Sequence, residues 1–396
     1  NLAKYIIDTY NGYSFGVAPK IILDKGDNND SLQDWLSHVS FFDKLNELGK
    51  QTSIYGRSIG YVYQNENAET EFTYVSPSKA FIIYDNTVNR EPLAFVMYEY
   101  YKNESEWQAR GKIYYATKVY DFDNLKLSDE YTINPYKIVP AVEFYENEER
   151  QGVLDPVKTL LNAYDKVLSQ KANQNEYFDN AYLAAIGIKF PINPKTKKPD
   201  IDIANNRFLY LPDVTQGTNP KLEFISKPDN DNMQENYLKR LEDLIYQVSM
   251  VPNLNDKAFA GNQSGVALQY KLLSLQNKTA NQIRKFQKSL RQLFRIIFSV
   301  GQVVTNPDLW DQLSIEFHPN LPADIAGAIS DAKNVEGLVS QRTALKLLPF
   351  VSDPDEEIKQ INQEKQENIK NAQQAAGSLP DYLNDGEDDD DKSETE

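Results

Sequence analysis

The chain predicts an α+β fold, on three observations. Positions 55–144 carry short aromatic and β-branched runs bounded by turn residues. The connections between them are as brief as Asp85-Asn86 and Asp123-Asn124, and three later stretches follow long helical spacing. With 396 residues the chain can form about two or three folding units, each large enough to bury a core. Its hydrophobic fraction of 40%, with 17 glycines besides, approaches the ordinary globular range of about 45–50%, so it reads as a folded protein.

Residues 1–50 read as mixed, with one amphipathic helix near Ser31–Lys50. There Leu32, Leu36, Val39, Phe42, Leu45 and Leu48 recur at three- and four-residue steps. Strands are expected at Tyr61–Tyr63, Phe72–Val75, Phe81–Tyr84, Leu93–Tyr101, Lys112–Phe122 and Ile138–Phe144. Most must be antiparallel, since a parallel pair needs a long crossover. Residues 1–150 thus make one α+β domain.

Glu146–Arg150 breaks this pattern, and Asp155-Pro156 opens a helix with an N-cap carboxylate and a first-turn proline. Val157, Leu160, Leu161, Tyr164, Val167, Leu168, Ala172 and Phe178 carry its spacing. It is expected to reach about Ala185, with Gly187 stopping it, a span of ~45 Å. Phe190–Asp231, rich in Pro and Lys, reads as a small excursion with strand-like pieces at Arg207–Leu211 and Lys221–Ile225. A second helix, Met233–Met250, follows the capping candidates Asp229 and Asp231 and ends before Pro252. The polar loop Asn253–Ser264 then leads to a third helix, Gly265–Val300, ~50 Å long.

Leu313–Phe317 reads as a strand, and Ala323–Gly337 and Gln341–Leu348 as short helices. Asp353-Pro354-Asp355-Glu356-Glu357 opens a charged helix with acids at its positive end. Helices this long need partners for their apolar stripes, which a compact monomer does not supply.

The absence of cysteine excludes disulfide frameworks, thiolate zinc sites, iron–sulfur clusters and Cys nucleophiles, and His38 and His318 are the only imidazoles. No apolar run approaches the ~20 residues that span a bilayer. The chain opens at Asn1 without a Met or a secretory-leader pattern, so secretion has no support. Phosphate-loop, dinucleotide, zinc-protease and serine-esterase motifs are absent. Ser76-Pro77-Ser78-Lys79 matches S-x-x-K in letters only, within a turn. Asp229-Asn230-Asp231-Asn232 lacks the glycine and the final glutamate of a calcium loop, and His318 before Pro319 reads as structural. No catalytic residue, metal or cofactor is assigned, and the chain is read as a non-enzyme.

Lys and Arg number 42 against 58 Asp and Glu, a net charge of −16. From Asp381 to Glu396 nine acids face the single base Lys392, so half the net charge lies in a solvated, disordered tail. Asp388–Lys392 looks like a protease tag site, but acids continue on both sides of it. By contrast, Lys257 to Thr305 contains eight bases and no acid. On the third helix Ile283, Phe286, Leu290, Leu293 and Ile297 form an apolar face, while Arg284, Lys288, Arg291 and Arg295 form a cationic stripe. A stripe without interspersed acids wants anionic partners, either phosphates or the acidic surface of a neighbouring subunit.

In its order of parts the chain resembles the portal proteins of tailed bacteriophages, the group with wing, stem, clip and crown found in siphophages of Gram-positive hosts. The resemblance rests on Phe81–Val88, on Val139–Phe144 through Asn147–Arg150, and on Leu161–Asp165. It is most specific at Val251-Pro252-Asn253 through Phe259–Leu268, with Ile315-Glu316-Phe317, Asn320-Leu321-Pro322 and Asp353-Pro354 following in order.

It implies an antiparallel-strand wing (1–150), a stem helix (151–186), a small α/β clip (187–231) and a second stem helix (232–252). A tunnel loop (253–264), a long wing helix and strand (265–320), a helical crown (321–377) and the acidic tail (378–396) complete it. It also implies a homo-oligomeric ring, usually of twelve subunits, at one capsid vertex of the virion, assembled in the bacterial cytoplasm. Double-stranded DNA would be packaged and ejected through the ring without sequence specificity or any membrane role.

The tunnel loop would face DNA with Asn253, Asn255, Asp256, Lys257, Phe259, Asn262, Gln263 and Ser264. Lys195, Lys197, Lys198 and Arg207 would form the clip surface that docks the terminase large subunit and later the head–tail connector. Capsid and scaffold proteins would be further partners, and relatives carry additional N-terminal sequence. A head-to-tail ring would bury the long helices on neighbours, and an acidic bore would let DNA slide. The alternatives are an acidic structural or adhesin-like surface protein without a channel, and a hydrolase with paired carboxylates, for which no spacing speaks.

Overall fold

The computed structural model describes residues 1–23, 27–104, 106–124, 126–178, 182–199, 208–212, 219–225, 231–255, 265–321, 325–335, 337–348, 351 and 354–376. They fall into two compact units, Asn1–Asn320 and Leu321–Glu396, and their helices and mainly antiparallel sheets make the chain α+β.

The first unit opens with α1 (Leu2–Phe15), whose first turn is capped by the Asn1 side chain accepting from the Lys4 N–H at 3.0 Å. The short β1 (Lys20–Ile22) pairs antiparallel with Ser314–Glu316, near the far end of the unit. The single helix expected over Ser31–Lys50 is two, α2 (Asp27–His38) and α3 (Phe41–Tyr55), divided at Ser40, whose φ of 51° is left-handed. Leu32, Leu36, Val39, Leu45 and Leu48 are buried all the same. The apolar rhythm runs through the break, so periodicity could not reveal it.

After Gly56 come β2 (Arg57–Gln64), β3 (Thr70–Val75), β4 (Ala80–Tyr84), β5 (Pro92–Asn103), β6 (Glu106–Tyr114), β7 (Lys118–Asp123), β8 (Lys126–Ile133) and β9 (Ala141–Tyr145). They form two sheets, β3-β2-β9 and β4-β5-β6-β7-β8, with every pairing antiparallel. The strand expected at Lys112–Phe122 is the end of β6 and most of β7. The unforeseen β8 is exposed along its whole length and is held to β7 by backbone pairing and by Tyr131, whose ring lies 5.7 Å from that of Tyr120 and 4.1 Å from the Lys118 ammonium.

Asp155 begins a 3₁₀ turn, but its carboxylate accepts from the Gly152 N–H at 2.7 Å instead of capping the helix that follows. That helix, α4 (Lys158–Phe178), ends before the predicted Ala185. Tyr182–Ile186 is instead β10, the centre of a small sheet that pairs parallel with β11 (Phe208–Leu211) and antiparallel with β12 (Lys221–Ile225). An apolar run such as Tyr182-Leu183-Ala184-Ala185-Ile186 suits either state, and the distant partners decide it. The described residues of 187–230 contain no helix.

The second long helix is α5 (Asp231–Ser249), tied to α4 by the Lys171–Glu235 ion pair. The third is α6 (Gly265–Phe298), followed by a 3₁₀ turn at Pro307–Gln312 and by β13 (Ser314–Glu316). The C-terminal half of α6 enters a core with α2, α3, β2, β3 and β9, and its N-terminal half meets α1 and α5.

The second unit holds α7 (Ile325–Asn334), α8 (Gln341–Leu345) and α9 (Pro354–Ala376). No helix among the described residues is long and apolar enough to cross a membrane.

Candidate functional site

The acid-free helix α6 organises the first unit. Phe286, Leu290, Leu293 and Ile297 are fully buried as expected, Ile283 is half-buried, and Phe294, Ile296 and Phe298 join the buried face. Two polar side chains stitch this face to strands on either side. Ser289 Oγ donates to the Glu143 carbonyl at 2.9 Å, and Gln287 Nε2 donates to the Ile315 carbonyl at 2.9 Å.

The cationic stripe divides in two. Arg291 donates to the Asp311 carbonyl at 3.3 Å, and the Arg295 guanidinium lies 5.8 Å from the Trp310 ring, so this pair holds the 307–312 turn. Arg284 and Lys288 are exposed and form no ion pair among the described residues. Between them Lys285 pairs with Glu148, and that bond and charge hold the Glu148 carboxyl below the usual range.

Beside the stripe lies a cleft of about 340 Å³ between the 85–91 loop, β9 and α6. The loop is pre-shaped by the Asp85 carboxylate, which accepts from Thr87 Oγ1 at 2.7 Å, from the Glu91 N–H at 2.9 Å and from the Thr87 N–H at 3.1 Å. Val88 is 100% exposed at its tip. In the wall, Glu143 accepts from Arg150 Nη2 at 2.9 Å and Nε at 3.1 Å, with Arg57 at 3.5 Å and the Tyr84 hydroxyl at 3.3 Å. Burial, then the Glu143 charge, raises the Tyr84 hydroxyl above its ordinary range.

Of the other predicted site residues, the described ones, Asn253, Asn255, Lys195, Lys197 and Lys198, do not line this cleft. Asn253 Nδ2 donates to Glu242 at 3.1 Å, and its Oδ1 accepts from the Asn255 N–H at 3.1 Å. The first residues of the loop are thereby pinned to α5. Asp256, Lys257, Phe259, Asn262, Gln263 and Ser264 lie outside the described residues, as does Arg207. Lys195, Lys197 and Lys198 are exposed on one tight turn closed by the Lys197 N–H to Asn193 carbonyl bond at 2.9 Å.

Glu143 and Glu146 were not singled out from the sequence. The signal was there, because both follow the apolar residues Ala141 and Val142 closely, where an acid must find a partner or lose its charge. Among the described residues no group of His, Cys, Asp and Glu could hold a metal ion.

Residues 1–371 match the family described as "Phage portal protein, SPP1 Gp6-like". The chain is 24% identical over 366 residues to the portal protein of Bacillus phage SPP1, covering 85% of this chain and 70% of that protein. It is also 24% identical over 394 residues to the portal protein of Clostridium phage phiCD119, covering 92% of this chain and 84% of that one. With residues 1–371 of its 396 matched, the chain belongs to the SPP1 Gp6-like family of phage portal proteins.

Proposed function

We propose that this chain is the subunit of a ring-shaped conduit at one capsid vertex, through which double-stranded DNA enters during packaging and leaves during ejection. The ring has twelve subunits in the virion and is built in the host cytoplasm with capsid and scaffold proteins. It serves a structural role, with the energy of translocation supplied by the terminase. The observation that carries this reading is the match of residues 1–371 to the portal family. The long helices support it, because Leu168 on α4 and Met233, Tyr237 and Val248 on α5 are exposed in a single chain. A neighbouring copy would bury such side chains.

In the finer assignment 1–150 and 265–320 form the wing, α4 and α5 the stem, 187–231 the clip, 253–264 the tunnel loop and 321–377 the crown. Lys257, Asn262 and Gln263 touch phosphate weakly in the loop. A bore rich in cations would hold DNA through many charge contacts, whereas the chain's net −16 lets it slide. Negative-stain electron microscopy with mass photometry tests the reading. Rings with a central channel at about twelve or thirteen chain masses are expected. A protein that stays monomeric even with its scaffold and coat proteins would overturn it.

A further inference from the structure

The cleft beside α6 combines two chemistries. Its wall is apolar at the half-buried Ile82 and Ile138 and the buried Val139 and Ile296, and polar at the buried Glu143 and Ser289, while Arg90, Lys288 and Arg295 stand exposed around it. Glu143 and Glu148 also line it, but Glu143 is paired with Arg150 and Arg57, and Glu148 with Lys285. Three cations then face one unpaired acid, Glu91. The cleft is small for a ligand pocket and preformed, since Asp85 fixes the loop that frames it. A phosphodiester backbone would use the cations and leave the apolar wall idle. An acidic peptide with apolar anchors would use both.

The chain carries such a segment. Leu379-Pro380-Asp381-Tyr382-Leu383 places three apolar anchors directly before the run Asp385 to Asp391, in which six of seven residues are acids. These residues lie outside the described structure. We propose that the 85–91/α6 cleft is the docking site for residues 379–391 of a second copy of this chain. The anchors enter the apolar wall and the acids meet Arg90, Lys288 and Arg295. This rests on the ring reading, in which every subunit offers one cleft and one tail and each pairing repeats around a closed symmetry. Neutralising the most acidic segment of one subunit on the cationic face of the next would offset the repulsion among twelve acidic chains.

The test uses the full chain with a benzophenone amino acid in place of Tyr382, made in isotopically light and heavy forms that are mixed before assembly and then irradiated. Cross-links from position 382 to peptides containing residues 82–92 or 288–296, in mixed light–heavy pairs, are expected. Arg90→Asp with Lys288→Glu should lower their yield about tenfold, as two lost surface charge pairings allow. Arg284→Glu, on the same helix but outside the cleft, should leave the yield unchanged. Asp suits the left-handed φ of 50° at Arg90, and a matching thermal melt excludes misfolding as the cause. Cross-links confined to single copies, cross-links elsewhere, or displacement by added double-stranded DNA would each overturn the inference. Electron microscopy of the same samples separates the two readings, since rings without these cross-links overturn this inference alone, and absent rings count against the portal reading.

Discussion

The Tyr10 hydroxyl donates a 2.7 Å hydrogen bond to the Glu146 carboxylate, joining α1 to the exit of β9 across 136 residues of sequence. Tyr10 is 0% and Glu146 3% exposed. Gln282 Nε2 of α6 donates to the other Glu146 oxygen, and its amide also reaches Ser53 Oγ at 3.4 Å. Lys278, 5.2 Å from the Tyr10 ring, donates to the Ser249 carbonyl at the end of α5 at 2.9 Å. Burial pushes the Glu146 carboxyl up to about 7, against the opposing pull of Tyr10, Lys278 and Gln282. Burial also lowers the Lys278 ammonium. One polar cluster therefore ties together α1, α3, β9, α5 and α6.

Glu146 makes the first unit's stability fall as pH rises. Its folded pKa of about 7 lies above the ordinary 4.5 of a glutamate in water, so between those values the folded chain holds the extra proton. The effect is of order 3 kcal/mol at most, at 1.36 kcal/mol per pKa unit. Glu146→Gln should flatten this part of the profile in urea titrations from pH 4.5 to 8. Parallel profiles for parent and variant would refute the assignment.

Leu290 is 0% exposed in the core shared by α6, α3 and β9, so Leu290→Ala should cost about 2–5 kcal/mol. Arg284→Ala, on the exposed face of the same helix, should stay within about 0.5 kcal/mol. Shifts in urea midpoint report both, and equal shifts would mean the helix is buried differently.

Gly56 has a φ of +76°, and a Cβ there would stand 2.0 Å from the Arg150 carbonyl oxygen. Gly56→Ala should therefore lose about 2 kcal/mol or more, through both backbone strain and clash. Gly301 shares the left-handed conformation at φ +68° but has its nearest neighbour at 4.0 Å, so Gly301→Ala should cost only about 1 kcal/mol. Thermal melts of the two variants should differ in that order.

Lys195, Lys197 and Lys198 are exposed on one turn, so reversing all three to Glu should leave the melting temperature close to that of the parent. If this turn docks the terminase, the same variant should lose co-purification of the terminase large subunit with assembled rings. Undiminished binding would remove the turn from the docking surface.

The apolar stripe of α6, the strand-rich region before residue 145, the absence of sulfur chemistry and the family-bearing stretch at 251–268 could all be read from residue order. Each is a local property, since periodicity shows which face of an element seeks burial and a motif lies within one stretch of chain. What buries that face depends on residues far away in sequence. The left-handed Ser40 divides a helix whose apolar rhythm never breaks, and Tyr182–Ile186 becomes a strand only because Phe208–Leu211 and Lys221–Ile225 come to flank it. Arg291 and Arg295 look no different from Arg284 and Lys288 until the 307–312 turn folds against them, with Arg291 bonded to its backbone and Arg295 touching the Trp310 ring while still exposed. Glu146 is one of 58 acids in the sequence, and only the packing of five elements around it removes the water that would keep its charge inexpensive.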